Sequence, residues 1–238
     1  MGEARYTIGI DLGTSNCAVA FAKLGGGNTR VEDFGVLQLS RPGEVIEGAL
    51  FPSALYAPME AERAAGALDL PWVKAGEFVA GQFARWRGAK VPGRVITSAK
   101  SWLSHPSVDR TAAILPWGGA ADVTKISPVS ASAFLLRQMR EAWNYKHPEA
   151  RLEEQEVSIT VPASFDESAR SLTVQAAREA GIEKFILLEE PQAAFYDFSH
   201  ENERRLAEIL KEVRLVLVID IGGGTTDFTL VQVGDERS

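Results

Sequence analysis

Two short stretches hold the residues best suited to chemistry, "GIDLGTSNCAVAF" at 9–21 and "VIDIGGGTTDFTL" at 218–230. Each runs from an apolar strand into Asp, an apolar residue, Gly and a small, hydroxyl-rich turn, and then into a returning strand. The aspartates, Asp11 and Asp220, stand 209 residues apart. Consecutive glycines let a backbone approach an anion closely, and turn N–H groups pointing inward form a phosphate nest. Thr14, Ser15, Thr225 and Thr226 add hydroxyl donors. An Asp at the end of each strand then faces a metal-bound polyphosphate from either side and holds Mg²⁺ directly or through its waters. One Gly-rich hairpin merely turns a chain. The repetition with the same Asp favours phosphate.

Competing phosphate motifs fail. The nearest imitation of G-x-x-x-x-G-K-[ST], "RVITSAKS", has Arg94 and Ala99 where glycines are required, and no G-x-G-x-x-G follows a strand. His105, His147 and His200 are scattered, and with Cys17 as the one cysteine they make no metal cluster. The net charge of -7 argues against nucleic acid, which is held by a Lys and Arg surplus. The local cluster Arg85, Arg87, Lys90 and Arg94 reads as a solvated face. A lone cysteine excludes an internal disulfide. Apolar runs are too short to span a bilayer, and "MGEARYTIGIDLG" lacks the succession of a signal peptide. The expectation is a cytoplasmic protein with no membrane or nucleic-acid partner.

The elements that must position the two loops follow from periodicity. Tyr6–Leu12 and Cys17–Phe21 read as hairpin strands, followed by a turn at "LGGGN" (24–28). From about 36 to 124 lie most of the prolines, all but one of the tryptophans and little clean period, as in an inserted subdomain. Ser127 and Pro128 read as N-cap and first residue of a helix whose one face carries Leu135, Met139, Ala142 and Trp143. "VSITV" (157–161) is a strand. "SFDESARSLTVQAAREAG" is a helix with Ser164 and Glu167 as a capping box and Gly181 as its stop. "FILL" (185–188) reads as a buried strand, followed by a helix opening at Pro191. Leu206, Ile209, Leu210 and Val213 give an amphipathic helix, and "LVLVI" (215–219) a central strand apolar on both faces. The alternation implies an α/β domain with a mixed sheet.

These motifs resemble the Hsp70 chaperones, the 70-kilodalton heat-shock family within the actin and sugar-kinase ATPase superfamily. "IGIDLGTSNCAVA" is similar to that family's first phosphate loop and "ITVPASFDESAR" to the segment linking its lobes. "LLEEPQAAF" is similar to its connecting glutamate motif and "VIDIGGGTTDFTL" to its second phosphate loop. The resemblance implies an actin-like (ribonuclease H-like) fold. Lobe I core would occupy 1–35 and 127–212, an inserted subdomain 36–126, and the first hairpin of lobe II 213–238. It implies ATP or ADP with Mg²⁺ as cofactors, Asp11, Asp220 and Glu190 at the metal, and Gly13, Thr14, Ser15, Asn16, Gly222, Gly223, Gly224 and Thr225 around the phosphates. Lys100 in "SAKSWL" matches the catalytic lysine, Glu190 the glutamate at the water, and Asp227 the carboxylate closing the second loop. Pro162 and Arg170 match a pair that couples nucleotide state to a substrate domain.

The sequence departs from the family at Thr226, at Ser104 and His105, and in the extra segment "HENERRLAEILKEV". A bacterial actin-like (MreB-like) filament ATPase is the alternative. A shorter insertion, no lysine at position 100 and Glu in place of Asp227 would mark it, and all three features here favour the chaperone. On the resemblance, the chain is expected to be an inactive fragment of a larger ATPase whose partners are nucleotide, unfolded polypeptides and co-chaperones. Its hairpin at 215–233 is expected to pack on its own lobe or on a second copy.

Overall fold

Tyr6, Ile8 and Ile10 alternate with Thr7, Gly9 and Asp11, and a period of two puts the apolar set on one face of a strand. A computed structural model describes residues 4–25, 30–64 and 66–234. Positions 26–28 of the "LGGGN" turn and the first three residues lie outside them. Along the chain come β1 (Tyr6–Asp11), β2 (Asn16–Lys23), β3 (Glu32–Asp33), β4 (Val36–Arg41), β5 (Glu44–Gly48), β6 (Leu50–Pro52), β7 (Ala54–Tyr56), α1 (Glu60–Ala64), β8 (Val79–Ala80) and α2 (Gln82–Gly88). There follow β9 (Val95–Thr97), α3 (Ala99–Leu103), α4 (Pro128–Lys146), β10 (Glu156–Val161), α5 (Glu167–Glu179), β11 (Ile186–Glu189), α6 (Glu190–Glu201), α7 (Leu206–Leu210), β12 (Leu215–Ile221) and β13 (Thr226–Gln232). The fold is mixed α/β.

The main sheet runs β11-β10-β1-β2-β3, with β6 also on β2. β1, β10 and β11 are parallel, while β2 is antiparallel to β1, β3 and β6. Between β3 and α4, β4 pairs with β5, and β7 is flanked by β8 and β9.

Tyr6, Ile8 and Ile10 are buried against Leu135, Leu136, Met139 and Trp143 of α4. Each aliphatic side chain taken from water contributes about 1.5 to 3 kcal/mol. Trp143 is fully buried, meets Tyr6 and Phe21 edge-on at 5.4 and 5.2 Å, and donates its indole N–H to Ala150 O at 2.8 Å. α4 starts where the sequence signals it: Ser127 Oγ accepts from Ser130 N at 3.0 Å. α5 starts elsewhere than expected. Its N-cap is Asp166, whose carboxylate accepts from Ala169 N at 2.6 Å, so Ser164 and Glu167 form no capping box. The turn Phe165 N to Pro162 O spends the residues before Asp166 outside the helix. Gly181 follows α5 with φ +83°, the left-handed stop expected of it.

Three further expectations change. β11 is a sheet edge rather than a buried strand, with Ile186 62% exposed. The amphipathic pattern at 206–213 yields only the five residues of α7. β12 is no central strand among the described residues: it pairs with β13 alone, packs one face toward α6, and leaves Leu215, Leu217, Ile219 and Ile221 exposed.

Candidate functional site

Because β1, β10 and β11 are parallel and adjacent, their carboxyl ends lie together at one edge of the sheet. Such edges are where open α/β sheets hold ligands. They deliver Asp11, Thr160, Pro162 and, at the junction of β11 and α6, Glu190. Thr160 lies in register with Asp11 and donates its hydroxyl to Asp11 Oδ1 at 3.1 Å, which fixes the carboxylate.

The first turn closes tightly above Asp11. A Cβ on Gly13 would stand 2.1 Å from Asn16 O, so only glycine fits. Ser53 buttresses the turn from outside: its hydroxyl donates to Gly13 O at 2.6 Å and its N–H to Ser15 O at 3.0 Å. In the second turn Asp220 and Asp227 face each other across β12 and β13, Gly222 N donates to Thr225 O at 2.9 Å, and Thr225 Oγ1 donates to Asp227 Oδ2 at 3.0 Å. The two turns touch. A Cβ on Gly223 would fall 1.8 Å from Ser15 Oγ, and one on Gly224 2.9 Å from Thr14 Cγ2.

Lys100 enters from α3. Ser98, two residues earlier, has φ +56° and is the one non-glycine residue with positive φ among those described. Backbone strain of this kind, worth about 1 to 3 kcal/mol, clusters at functional sites. Lys100 is buried, and its ammonium donates to Glu190 Oε1. Burial weakens the acidity of Glu190 and pushes its carboxyl above the usual range; the nearby charges of Asp11 and Asp220 push the same way, against Lys100.

A cavity of about 540 Å³ joins these parts. Asp11, Gly13, Thr14, Ser15, Asn16, Lys100, Pro162, Glu190, Asp220, Gly222, Gly223 and Thr225 all line it. Gly224 and Asp227 do not, serving instead at the contact with Thr14 and as partner to Thr225. Arg170 also stands off the cavity; its Nη2 donates to Glu189 Oε1 at 2.7 Å, next to Glu190. Sequence reasoning missed Thr160, Ser53 and Glu189. Thr160 alone had a signal, as the position in "VSITV" level with Asp11. Among the described residues no three His, Cys, Asp or Glu side chains converge closely enough to hold a bare metal ion, and no helix is long and apolar enough to cross a membrane.

In the basic cluster Arg85 and Lys90 are exposed and Arg87 and Arg94 half-buried, and each also has a partner. Arg87 pairs with Glu62 at 2.8 Å, Arg94 pairs with Asp122, and Lys90 lies 4.2 Å over the Trp86 ring. Arg85 reaches the first turn, at Ser15 and Asn16.

Comparison with known proteins gives one consistent picture. The HSP70 family model, "Hsp70 protein", matches residues 90–237. A "Chaperone protein DnaK" of Nitrosopumilus maritimus (strain SCM1) is 30% identical over 229 residues, 95% of this chain and 29% of its own length. One from Methanothermobacter thermautotrophicus is 29% identical over 236 residues, 98% of this chain and 32% of its own. One from Elusimicrobium minutum (strain Pei191) is 30% identical over 231 residues, covering 96% and 30%. The chain thus spans about three tenths of the length of these relatives.

Proposed function

The chain belongs to the Hsp70 family, and from that premise we propose that it is the first part of the nucleotide-binding region of a chaperone ATPase. The contact of Gly223 and Gly224 with Ser15 and Thr14 carries the reading, because it closes two turns from distant parts of the chain around one cavity that also holds Lys100 and Glu190. In this reading the β- and γ-phosphates of ATP lie against Gly13, Thr14, Ser15 and Asn16 on one side and Gly222, Gly223 and Thr225 on the other, with Gly224 seating the second turn on Thr14 and Asp227 steadying Thr225. The lobe I core is 1–35 and 127–212, the inserted subdomain 36–126, and 213–238 opens lobe II, as in the actin-like fold.

Oxygen donors from Asp11, Asp220 and Glu190 on one cavity suit Mg²⁺, a hard cation that keeps several waters and is bound by one or two carboxylates plus substrate phosphates. When bound, it neutralises charge on the polyphosphate. Lys100 gives up Glu190 for a γ-phosphate oxygen, which positions the phosphoryl group. Glu190, a weakened acid, accepts the proton of the attacking water as the bond to the β-phosphate breaks. Arg170, tied to Glu189, and Pro162, on the cavity wall, carry the change outward to a polypeptide-binding domain and its co-chaperones. In this reading the protein works in the cytoplasm. No observation favours the filament-forming alternative.

Phosphoryl transfer of this kind depends on positioning and charge, so Lys100→Ala and Asp11→Asn should each lower single-turnover ATP hydrolysis in the full-length protein by about a hundredfold or more. Wild-type rates in both would overturn the assignment.

A further inference from the structure

We infer that Arg85 is a positioning residue for the first phosphate loop, holding the Ser15 carbonyl and the Asn16 side chain on the loop's outer side so that the Asn16 N–H turns toward the anion. The inference rests on the reading of the two turns as a polyphosphate site. Arg85 projects from α2, and its Nη2 donates to Ser15 O at 2.7 Å and to Asn16 Oδ1 at 2.6 Å. Ser15 O also accepts from Ser53 N at 3.0 Å. A carbonyl oxygen has two lone pairs, so this one is saturated by donors that approach from outside the loop. The peptide group is planar and trans, and its N–H points opposite to its C=O. Fixing the Ser15 carbonyl outward therefore directs the Asn16 N–H toward the other side, where Ser15 and Asn16 line the cavity.

Arg85 itself does not line that cavity, so it acts through the loop rather than as a ligand. Its neighbours in the basic cluster are engaged within their own region, Arg87 by Glu62, Arg94 by Asp122 and Lys90 by Trp86. Of these four, Arg85 is the one that spans from α2 to the loop, at sequence separations of 70 and 69 residues. The effect extends to the second turn as well. Gly223 seats against Ser15 Oγ, so a Ser15 that drifts loses the surface on which the other hairpin rests. Arginine suits the task because a planar fork gives up less freedom per hydrogen bond than a flexible ammonium.

Two measurements on the wild type, Arg85→Gln and Arg85→Lys test this. On the 238-residue chain, NMR backbone order parameters of Ser15 and Asn16 should fall in Arg85→Gln from the rigid value of about 0.85 to below about 0.6, with β10 unchanged. In the full-length protein, ATP affinity should fall about tenfold in Arg85→Gln, and Arg85→Lys should recover part of both losses. A loop that stays rigid in Arg85→Gln overturns the inference whatever ATP does. A loosened loop with unchanged ATP affinity also overturns it. So does full recovery of affinity by Arg85→Lys without recovery of loop order, since charge alone would then suffice. Wild-type protein that binds no ATP sinks the nucleotide reading and this inference together, and the loop measurement on the chain alone tells that failure from the others.

Discussion

Lys100 is an ammonium group in a place that charges avoid, and Glu190 is what allows it there. Removing one partner of a buried ion pair strands the other, so Lys100→Ala should destabilise the fold by about 2 to 3 kcal/mol, below the full-burial range because Glu190 can neutralise. Urea denaturation checks this. Adding Glu190→Gln should restore most of the loss; a double variant as unstable as the single would mean that packing, not the stranded carboxylate, sets the cost. Cys17 has the opposite character: burial pushes its thiol up to about 12, which leaves it inert. His147 lies 4.3 Å from Trp143 and near Tyr6, Phe21 and Phe34. Burial holds its imidazole below the usual 6.5, with Lys146 and Lys23 acting the same way and Glu149 against. The unfolded chain therefore takes up this proton first as pH falls. The associated stability is full above about 6.5 and is lost from there toward the lower folded value. Denaturant midpoints between pH 7.5 and 5.5 should drop less in His147→Phe than in wild type.

Helix starts separate what the sequence discloses from what only tertiary contacts decide. Ser127 and Pro128 were legible because cap and first residue sit side by side before an apolar stripe. In α5, the spacing from Ser164 to Glu167 imitates a capping box, yet Asp166 takes the position. Asp166→Ala should cost about 1 kcal/mol in thermal or urea unfolding, while Ser164→Ala should stay within about 0.5 kcal/mol of wild type. Equal effects would contradict the cap assignment. The two Asp-Gly turns, β1, β2 and β10 were legible for the same reason as α4: each has a strict local pattern. The region 36–126 was not. Its strands β6 to β9 are two or three residues long, too short to show a period, and β7 finds β9 about 40 residues on. Ser53 and Arg85 carry no motif, and their roles exist only once β6, β7 and α2 are packed beside the first turn. The pattern at 206–213 promised a longer helix than α7, but isolated short helices are marginal without a face to pack on, and its apolar residues are only half-buried.

At the scale of the molecule, β12 and β13 present Leu215, Leu217, Ile219, Ile221, Phe228 and Leu230 on one exposed face, with Ile221 79% and Phe228 68% exposed. Cross-strand register places Leu217 beside Leu230 and Ile219 beside Phe228, so the patch is continuous. Residues 1–238 alone should therefore associate as concentration rises, by light scattering, and Ile219→Lys with Phe228→Lys should keep the chain monomeric. Scattering unchanged by the pair of lysines would place the association elsewhere. The main sheet has a different exposure, in time rather than space. β1 pairs with β10, and Asp11 receives its hydrogen bond from a residue 149 positions later. At about 5 to 20 residues per second, a growing chain waits about 7 to 30 s between making β1 and making its neighbour. Through that interval β1 has β2 as its partner and an open edge on the other side, while β4 and β5 already close on each other a few residues apart. The order of synthesis thus completes the periphery first and leaves the strand that carries Asp11 among the last to be enclosed.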